Sequence, residues 1–436
     1  MSPTQTVASL LSRCLRAAGV TRAFAAPGHG IPVLTGISVV QVPSAEIAVA
    51  LADADGRLAV APSVRPGLAL LPGGRLRLGS QPGDVVPAVP IAIEDLPAAI
   101  AGWSLGRVHA AFEIELPADL AAEAAEELQP LAVQRGDQLV RLSPSLADFR
   151  TMIVVGPGVV RDGVAGDVAD AASRMGAGVM VTMGAIGAVP FDHPSYRGVV
   201  GVQFADPALG GLDGSELVIA VGVDPDELGE SVPVDAQVLE VEPWHLAFLA
   251  TDWPLPEHAS AEPSELVEGI GDVLGAHRSD ESVPLHPVRA IIDVLDAIGA
   301  SDRIFVDPGP VGLWFARGVV PVAADRVIVP ALPVEGFAVA AAIISALDGR
   351  RSVAITTPGN PFVASLCDLA ATLDLDIVVE LWGEDANRID PADHRGGIVA
   401  AQLGGGVNVS TVSIDLGAVA DLLELAGPIV AWMPID

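Results

Sequence analysis

The sequence of 436 residues contains no lysine: all 23 basic residues are arginine, set against 55 Asp plus Glu for a formal charge of -32. A phosphate-gripping P-loop lysine, a Schiff-base lysine and a lysine general base are therefore excluded within this chain. So negative a field also opposes attraction to nucleic acid or anionic lipid, which clustered cations normally drive. Cysteine is nearly absent as well. Cys14 and Cys367 lie far apart and are expected to be reduced, buried thiols, with no Cys/His cluster at metal-ligand spacing among the eight scattered histidines. Long apolar runs are missing too: Phe337–Leu347, broken only by Ser345, is well short of the ~20 residues that span a bilayer, so no membrane span is expected. The N-terminal stretch is interrupted by Ser12, Arg13 and Arg16 and reads as an amphipathic helix and not a signal peptide, which makes a cytoplasmic location the expectation.

What is abundant is apolar: 51% hydrophobic against 18% charged residues argues for packed globular structure. Runs rich in Val, Ile and Ala alternate with segments of helical period, punctuated by Gly, Pro and Asp, which is the α/β pattern of mostly parallel sheets flanked by helices. The clearest unit begins at Thr151 with the strand-like MIVVGPGVV, then a helix over residues 164–175, the strand GVMVT and a later strand ELVIAVGV. Residues 130–145 and 257–287 are polar or Pro-containing and read as linkers, giving three α/β domains at 1–132, 147–275 and 287–436. Two turn signals, Pro72-Gly73-Gly74 and Gln81-Pro82-Gly83, predict a hairpin in the first domain.

Taken in order, the three segments resemble the thiamine-diphosphate-dependent enzyme superfamily that includes acetolactate synthase and benzoylformate decarboxylase. LLSRCLRAAGVTRAFAAPGHGIPVL is similar to that family's opening helix, strand and Pro-Gly loop, here Pro27-Gly28, and PSAEIAVALADADG to the helix carrying its catalytic glutamate, which places that residue at Glu46. The middle segment, from IVVGPGVV through GVMVTMGAIGAVPFDHPSYRGVVG to GSELVIAVGVDPDEL, is the best match. VRAIIDVLDAIGASDRIFVDPGPVGLWFA and VEGFAVAAAIISALDGRRSVAITTPGNPF resemble the diphosphate-binding domain, with Asp307 and Gly309 in a loop near the diphosphate.

The resemblance implies a Gly-Asp-Gly loop that holds a metal and the cofactor diphosphate, because two anionic phosphates need a hard divalent cation with oxygen ligands. Here the loop is Thr356-Thr357-Pro358-Gly359-Asn360, so Thr357, Gly359 and Asn360 form a degenerate version without a carboxylate. The family's asparagine position falls near residues 382–384, with Asn387 several residues late; Glu384 and Asp385 are the nearest carboxylates. The region APSVRPGLALLPGGRLRLGSQPGD replaces the family's pyrimidine-pocket loop, so both halves of the implied site are trimmed.

The expectation that follows is a degenerate, noncatalytic acetolactate-synthase-like relative, a pseudoenzyme acting as a structural or regulatory subunit, with no metal and no cofactor bound. The alternative is an active lyase or carboligase on a 2-oxo acid, holding thiamine diphosphate and magnesium through nonstandard ligands. A third reading has Arg65, Arg75 and Arg77 as an anion-binding cluster. The resemblance further implies a homo-oligomer, or a pairing with an intact thiamine-diphosphate enzyme subunit. Glu46 reads as the acid-base residue if the chain is active and otherwise as a first-turn helix acid after Ser44. His29 is the next candidate, weighed against an exposed loop histidine, and Asp192-His193 reads as a structural loop. Gly156-Pro157-Gly158 offers a weak dinucleotide-loop signal, with Glu240 or Glu242 as a ribose partner or a turn residue.

Overall fold

The computed structural model describes residues 5–60, 66–79, 89–104, 112–125, 128–131, 141–224, 227, 235–249, 253–254, 264–318, 323–331, 334, 336–384 and 390–430. It divides into two compact units, Met1–Gln138 and Leu139–Asp436. The hairpin turn Gln81-Pro82-Gly83 and residues Arg65, Asp385 and Asn387 lie outside the described residues.

In the first unit the elements run α1 (Val7–Ala17), β1 (Arg22–Ala25), β2 (Ser38–Gln41), α2 (Ala45–Leu58), β3 (Leu68–Leu71), β4 (Arg75–Leu78), β5 (Val89–Pro90), α3 (Leu96–Ser104) and β6 (Phe112–Glu115). The expected amphipathic N-terminal helix is α1, started by a reciprocal Thr6/Ser9 capping box and burying Leu10, Leu11, Cys14 and Leu15 on one face. The strand order is β2-β1-β3-β4-β6-β5. β1 pairs in parallel with β2 and β3, whereas β3, β4 and β6 pair antiparallel. The antiparallel step is the hairpin expected at Pro72-Gly73-Gly74, where Gly73 and Gly74 hold φ of 79° and 78°, a region open to glycine without a Cβ clash.

The second unit begins with β7 (Thr151–Val155), α4 (Pro157–Arg161), α5 (Ala165–Met175), β8 (Gly178–Val181), β9 (Tyr196–Val199), α6 (Asp206–Leu209), β10 (Leu217–Val221), β11 (Gln237–Val241), α7 (Leu246–Leu249) and α8 (Glu265–His277). It continues with α9 (Pro287–Ala297), β12 (Arg303–Val306), α10 (Pro310–Gly318), β13 (Val327–Ile328), α11 (Phe337–Leu347), β14 (Ser352–Thr356), α12 (Pro361–Thr372), β15 (Ile377–Gly383), α13 (Pro391–Gly404), β16 (Val407–Ser413) and α14 (Ala420–Ala426). Its two five-stranded sheets are parallel throughout, ordered β11-β10-β7-β8-β9 and β13-β12-β14-β15-β16. Strands such as β7, β10, β12 and β14 read as near-continuous apolar runs because helices cover both faces. α11 is buried over its whole circumference from Phe337 to Ser345, which explains a helix with no polar face.

One expectation is overturned. Residues 257–287 are not simply a linker: α8 lies within them, started by the Ser264 hydroxyl, which accepts from Val267 N at 3.3 Å. Leu266, Ile270 and Leu274, four residues apart, form its buried stripe, a helical period that the surrounding polar residues obscured. α8 packs on α14, and the core of the second and third sheets forms one continuous cluster. The middle and last segments are further joined by polar contacts. Gln203 donates to the carbonyls of Leu422 and Gly427, and the fully buried Arg317 guanidinium pairs with Asp206.

Candidate functional site

Ligand crevices in open parallel sheets form beyond the carboxyl ends of the strands, where the strand order reverses direction. The third sheet has such a point between β12 and β14, and a cleft of about 620 Å³ opens there, lined by Pro310, Pro358, Gly383, Glu384, Thr411, Leu416 and Gly417. Asp307, just after β12, and Thr356, at the end of β14, come together beside it. The Asp307 carboxylate accepts from the Thr356 hydroxyl and, at 2.7 Å, from Ala338 N. Asp307 is therefore buried and engaged in tying β12, β14 and α11 together.

Thr357, Gly359 and Asn360 form the turn from β14 into α12. Gly359 holds φ of 91°, and Asn360 caps the helix, its Oδ1 accepting from Phe362 N at 2.9 Å. Pro358 brings no N–H. Its ring lies so close to the end of β15 that a Cβ on Gly383 would come within 2.7 Å of Pro358 Cγ. Gly309 holds φ of 107° with open space on the side where a Cβ would sit. Glu384 and Asp415 are exposed, each with a carboxylate oxygen 3.5 Å from the position a Cβ would take on Gly417. Among the described residues no group of three or more His, Cys, Asp or Glu could hold a metal ion. The residues described thus do not fit a metal-bridged diphosphate: the turn lacks a carboxylate, and Asn360 Oδ1 and Asp307 are already committed to holding the fold.

In the first unit Glu46 is exposed in the opening turn of α2. Hydrogen bonds from its own backbone N–H and from the Ser44 hydroxyl hold its carboxyl below the usual range, the opposite of the raised value that suits a general acid at neutral pH. His29 is half-buried, its Nδ1 accepting from Ile31 N at 3.0 Å. Its loop is pinned to the hairpin turn by Gly73 N to Gly28 O at 3.2 Å and Gly74 N to His29 O at 3.1 Å. Arg75 pairs with Glu113 at 2.8 Å and donates to Pro72 O, so its guanidinium is not held open for an anion beside Arg77.

The second sheet also reverses direction, between β7 and β10, where Gly156-Pro157-Gly158 sits. The nucleotide reading of this loop is overturned. Gly156 N donates to Val221 O at 2.9 Å and Gly158 N to Gly222 O at 2.8 Å, so both amides are consumed within the protein. Each glycine is needed because the β10 exit packs against it: a Cβ on Gly156 would lie 2.3 Å from Val223 Cα. Arg161 bridges to Asp224 at 2.6 Å, and Glu227 accepts from the Thr182 hydroxyl and Gly184 N; the sequence reading singled out none of Arg161, Asp224 and Glu227. Glu240 is exposed on β11, and Glu242 precedes a short 3-10 turn without a side-chain cap. His193 is engaged locally, its Nδ1 accepting from Ser195 N. Burial pushes the thiols of Cys14 and Cys367 up to about 11, which disfavours the nucleophilic thiolate at neutral pH, although Cys367 is only half-buried.

Comparison with known proteins accords with this architecture. Residues 147–243 match the family model described as thiamine pyrophosphate enzyme, central domain. A solved structure from Mycobacterium smegmatis, assigned to the thiamin diphosphate-dependent enzymes, superimposes with a TM-score of 0.67 at 17% identity, covering 94% of this chain and 99% of its own. The Rhodococcus jostii RHA1 thiamine diphosphate-dependent 4-hydroxybenzoylformate decarboxylase gives the same TM-score, identity and coverage. The benzoylformate decarboxylase of Polynucleobacter necessarius gives 0.66 at 14% identity, covering 94% and 99%. No curated protein sequence matches. The resemblance to the thiamine-diphosphate superfamily and the α/β fold of three mainly parallel sheets flanked by helices are thereby shown. The expectation that no cofactor is bound draws no support from this likeness: two of the solved structures it resembles are described as thiamin diphosphate-dependent. No described helix is long and apolar enough to cross a membrane.

Proposed function

We propose that this chain, which carries the thiamine-diphosphate-enzyme fold, is a noncatalytic member of that group that serves as a structural or regulatory subunit. One observation carries the reading: the turn at the carboxyl end of β14 presents Thr357, Pro358, Gly359 and Asn360, with no carboxylate, Asn360 Oδ1 spent on a helix cap and the Pro358 ring against Gly383. A diphosphate without a neutralising cation would meet a chain of net charge -32 and the exposed Glu384. Fold alone does not confer catalysis; the site does.

Titration calorimetry with thiamine diphosphate and magnesium is the test, and no saturable heat is the expected result. Micromolar binding that disappears with a chelator would overturn the proposal. It would revive the other reading, an active lyase or carboligase on a 2-oxo acid, with Glu384, the acidic residue lining the cleft among the described residues, and Asp385 as the first ligands to substitute.

A further inference from the structure

The third sheet has a second cavity at its opposite edge, where β12, β13 and β14 begin. Arg303 opens β12, Arg326 immediately precedes β13, and Arg350 and Arg351 immediately precede β14. All four line one cleft of about 550 Å³ with Asp302 and Asp325. We infer that this cleft is a binding site for a small phosphate-bearing anion.

Three observations carry the inference. First, four of the chain's 23 arginines meet two aspartates here, a local excess of about two positive charges in a chain of net charge -32. That excess matches the ~-1.5 to -2 of a phosphate monoester at neutral pH. Second, the deep layer is prearranged. Arg303, buried, pairs with Asp325 at 2.7 Å, and Arg326 donates from Nη2 to Leu295 O and Gly299 O. Among the described residues the buried Nε–H of Arg326 has no acceptor, and a buried donor left unmatched calls for a partner. Third, the outer layer is available. Arg350 is exposed and its guanidinium makes no ion pair among the described residues, while Arg351, 61% exposed, has only Asp302 at 3.5 Å.

The volume falls in the ~300–1,000 Å³ range of small-molecule sites, which favours a compact ligand over a flat macromolecular surface. Planar guanidinium forks suit the oxygens of a tetrahedral phosphate. The chain's overall negative field is screened beyond ~8 Å at physiological ionic strength, so the local excess governs the final approach.

The test is calorimetric titration of the full-length protein at 150 mM chloride with inorganic phosphate, ADP and citrate, the last as a non-phosphate polyanion. Saturable binding of phosphate or ADP is expected, weakened at least tenfold in Arg350→Ala/Arg351→Ala, whose melting temperature should match the wild type because both side chains are exposed. Arg350→Lys/Arg351→Lys should fall between, since charge is kept and the fork lost, and Arg278→Ala, at an exposed position that does not line the cleft, should bind as the wild type does. Equal affinity for phosphate and ADP would identify free phosphate as the occupant; ADP at least tenfold tighter would identify a phosphorylated metabolite. Absence of saturable binding, citrate binding as tightly as the phosphate probes, or equal loss in Arg278→Ala and the double variant would overturn the inference.

Discussion

Replacing His394 by phenylalanine should expose how much of the second unit depends on one buried charge. His394, on α13, is 2% exposed; its Nδ1 lies 3.2 Å from Asp293 on α9 and its Nε2 3.3 Å from Glu380 on β15. Burial opposes the imidazolium, but hydrogen bonds and charge from Asp293 and Glu380 prevail and raise its pKa from 6.5 to about 9. It is therefore a cation at neutral pH, joining two helices and a strand. A change of that size corresponds to on the order of 3 kcal/mol. Phenylalanine fills the volume but leaves two buried carboxylates facing each other, and breaking a buried pair this way costs ~3–5 kcal/mol. The lower end is expected, because Asp293 keeps Arg289 at 3.0 Å and Glu380 keeps the Trp382 indole N–H at 3.0 Å. Because the folded pKa lies above the unfolded one, the contribution is fully present below pH ~6.5 and is lost as pH rises through about 9. Urea unfolding followed by tryptophan fluorescence, to which Trp382 contributes, should show the wild type losing stability across that window while His394→Phe is flatter. A variant within 1 kcal/mol of the wild type at pH 6.5, or an identical pH slope in both, would refute the reasoning.

Arg317→Met should destabilise by ~3–5 kcal/mol, because it strands Asp206, whose side chain is fully buried, and removes the link from α10 to the second sheet; denaturant unfolding is the check. Gly156→Ala should cost ~1–3 kcal/mol or more through the clash with Val223, whereas Gly166→Ala in α5, with open space at its Cβ, should gain up to ~1 kcal/mol; paired thermal melts separate the two. Glu46→Gln should lower stability by less than ~1 kcal/mol at pH 7. Since its carboxyl is held below the usual range, even that contribution should vanish as pH falls through the lowered pKa. The same variant should leave unchanged any turnover of an intact partner mixed with it, and loss of turnover with assembly retained would make Glu46 an acid-base residue. Light scattering at micromolar concentration should report a homo-oligomer, and a monomer of the 44.4 kDa chain mass would contradict that expectation.

Short-range pattern, read from the sequence alone, determined the elements. Apolar runs bounded by Gly and Pro marked β7, β8 and β10, the period of residues 164–175 marked α5, and Pro72-Gly73-Gly74 marked the one described antiparallel hairpin, because each depends on residues a few positions apart. The missing carboxylate between Thr356 and Asn360 was equally plain, being a matter of composition at one turn. Where chemistry depends on distant residues, only the tertiary structure decided. Gly156-Pro157-Gly158 has the look of a phosphate loop until the β10 exit packs against it and consumes its amides. His394 meets Asp293 across 101 positions, and the arginine cleft gathers residues from 303 to 351, because parallel pairing sets β13 and β14 on either side of β12. Strand order brings residues together without leaving a local periodicity, so no window of sequence carries it.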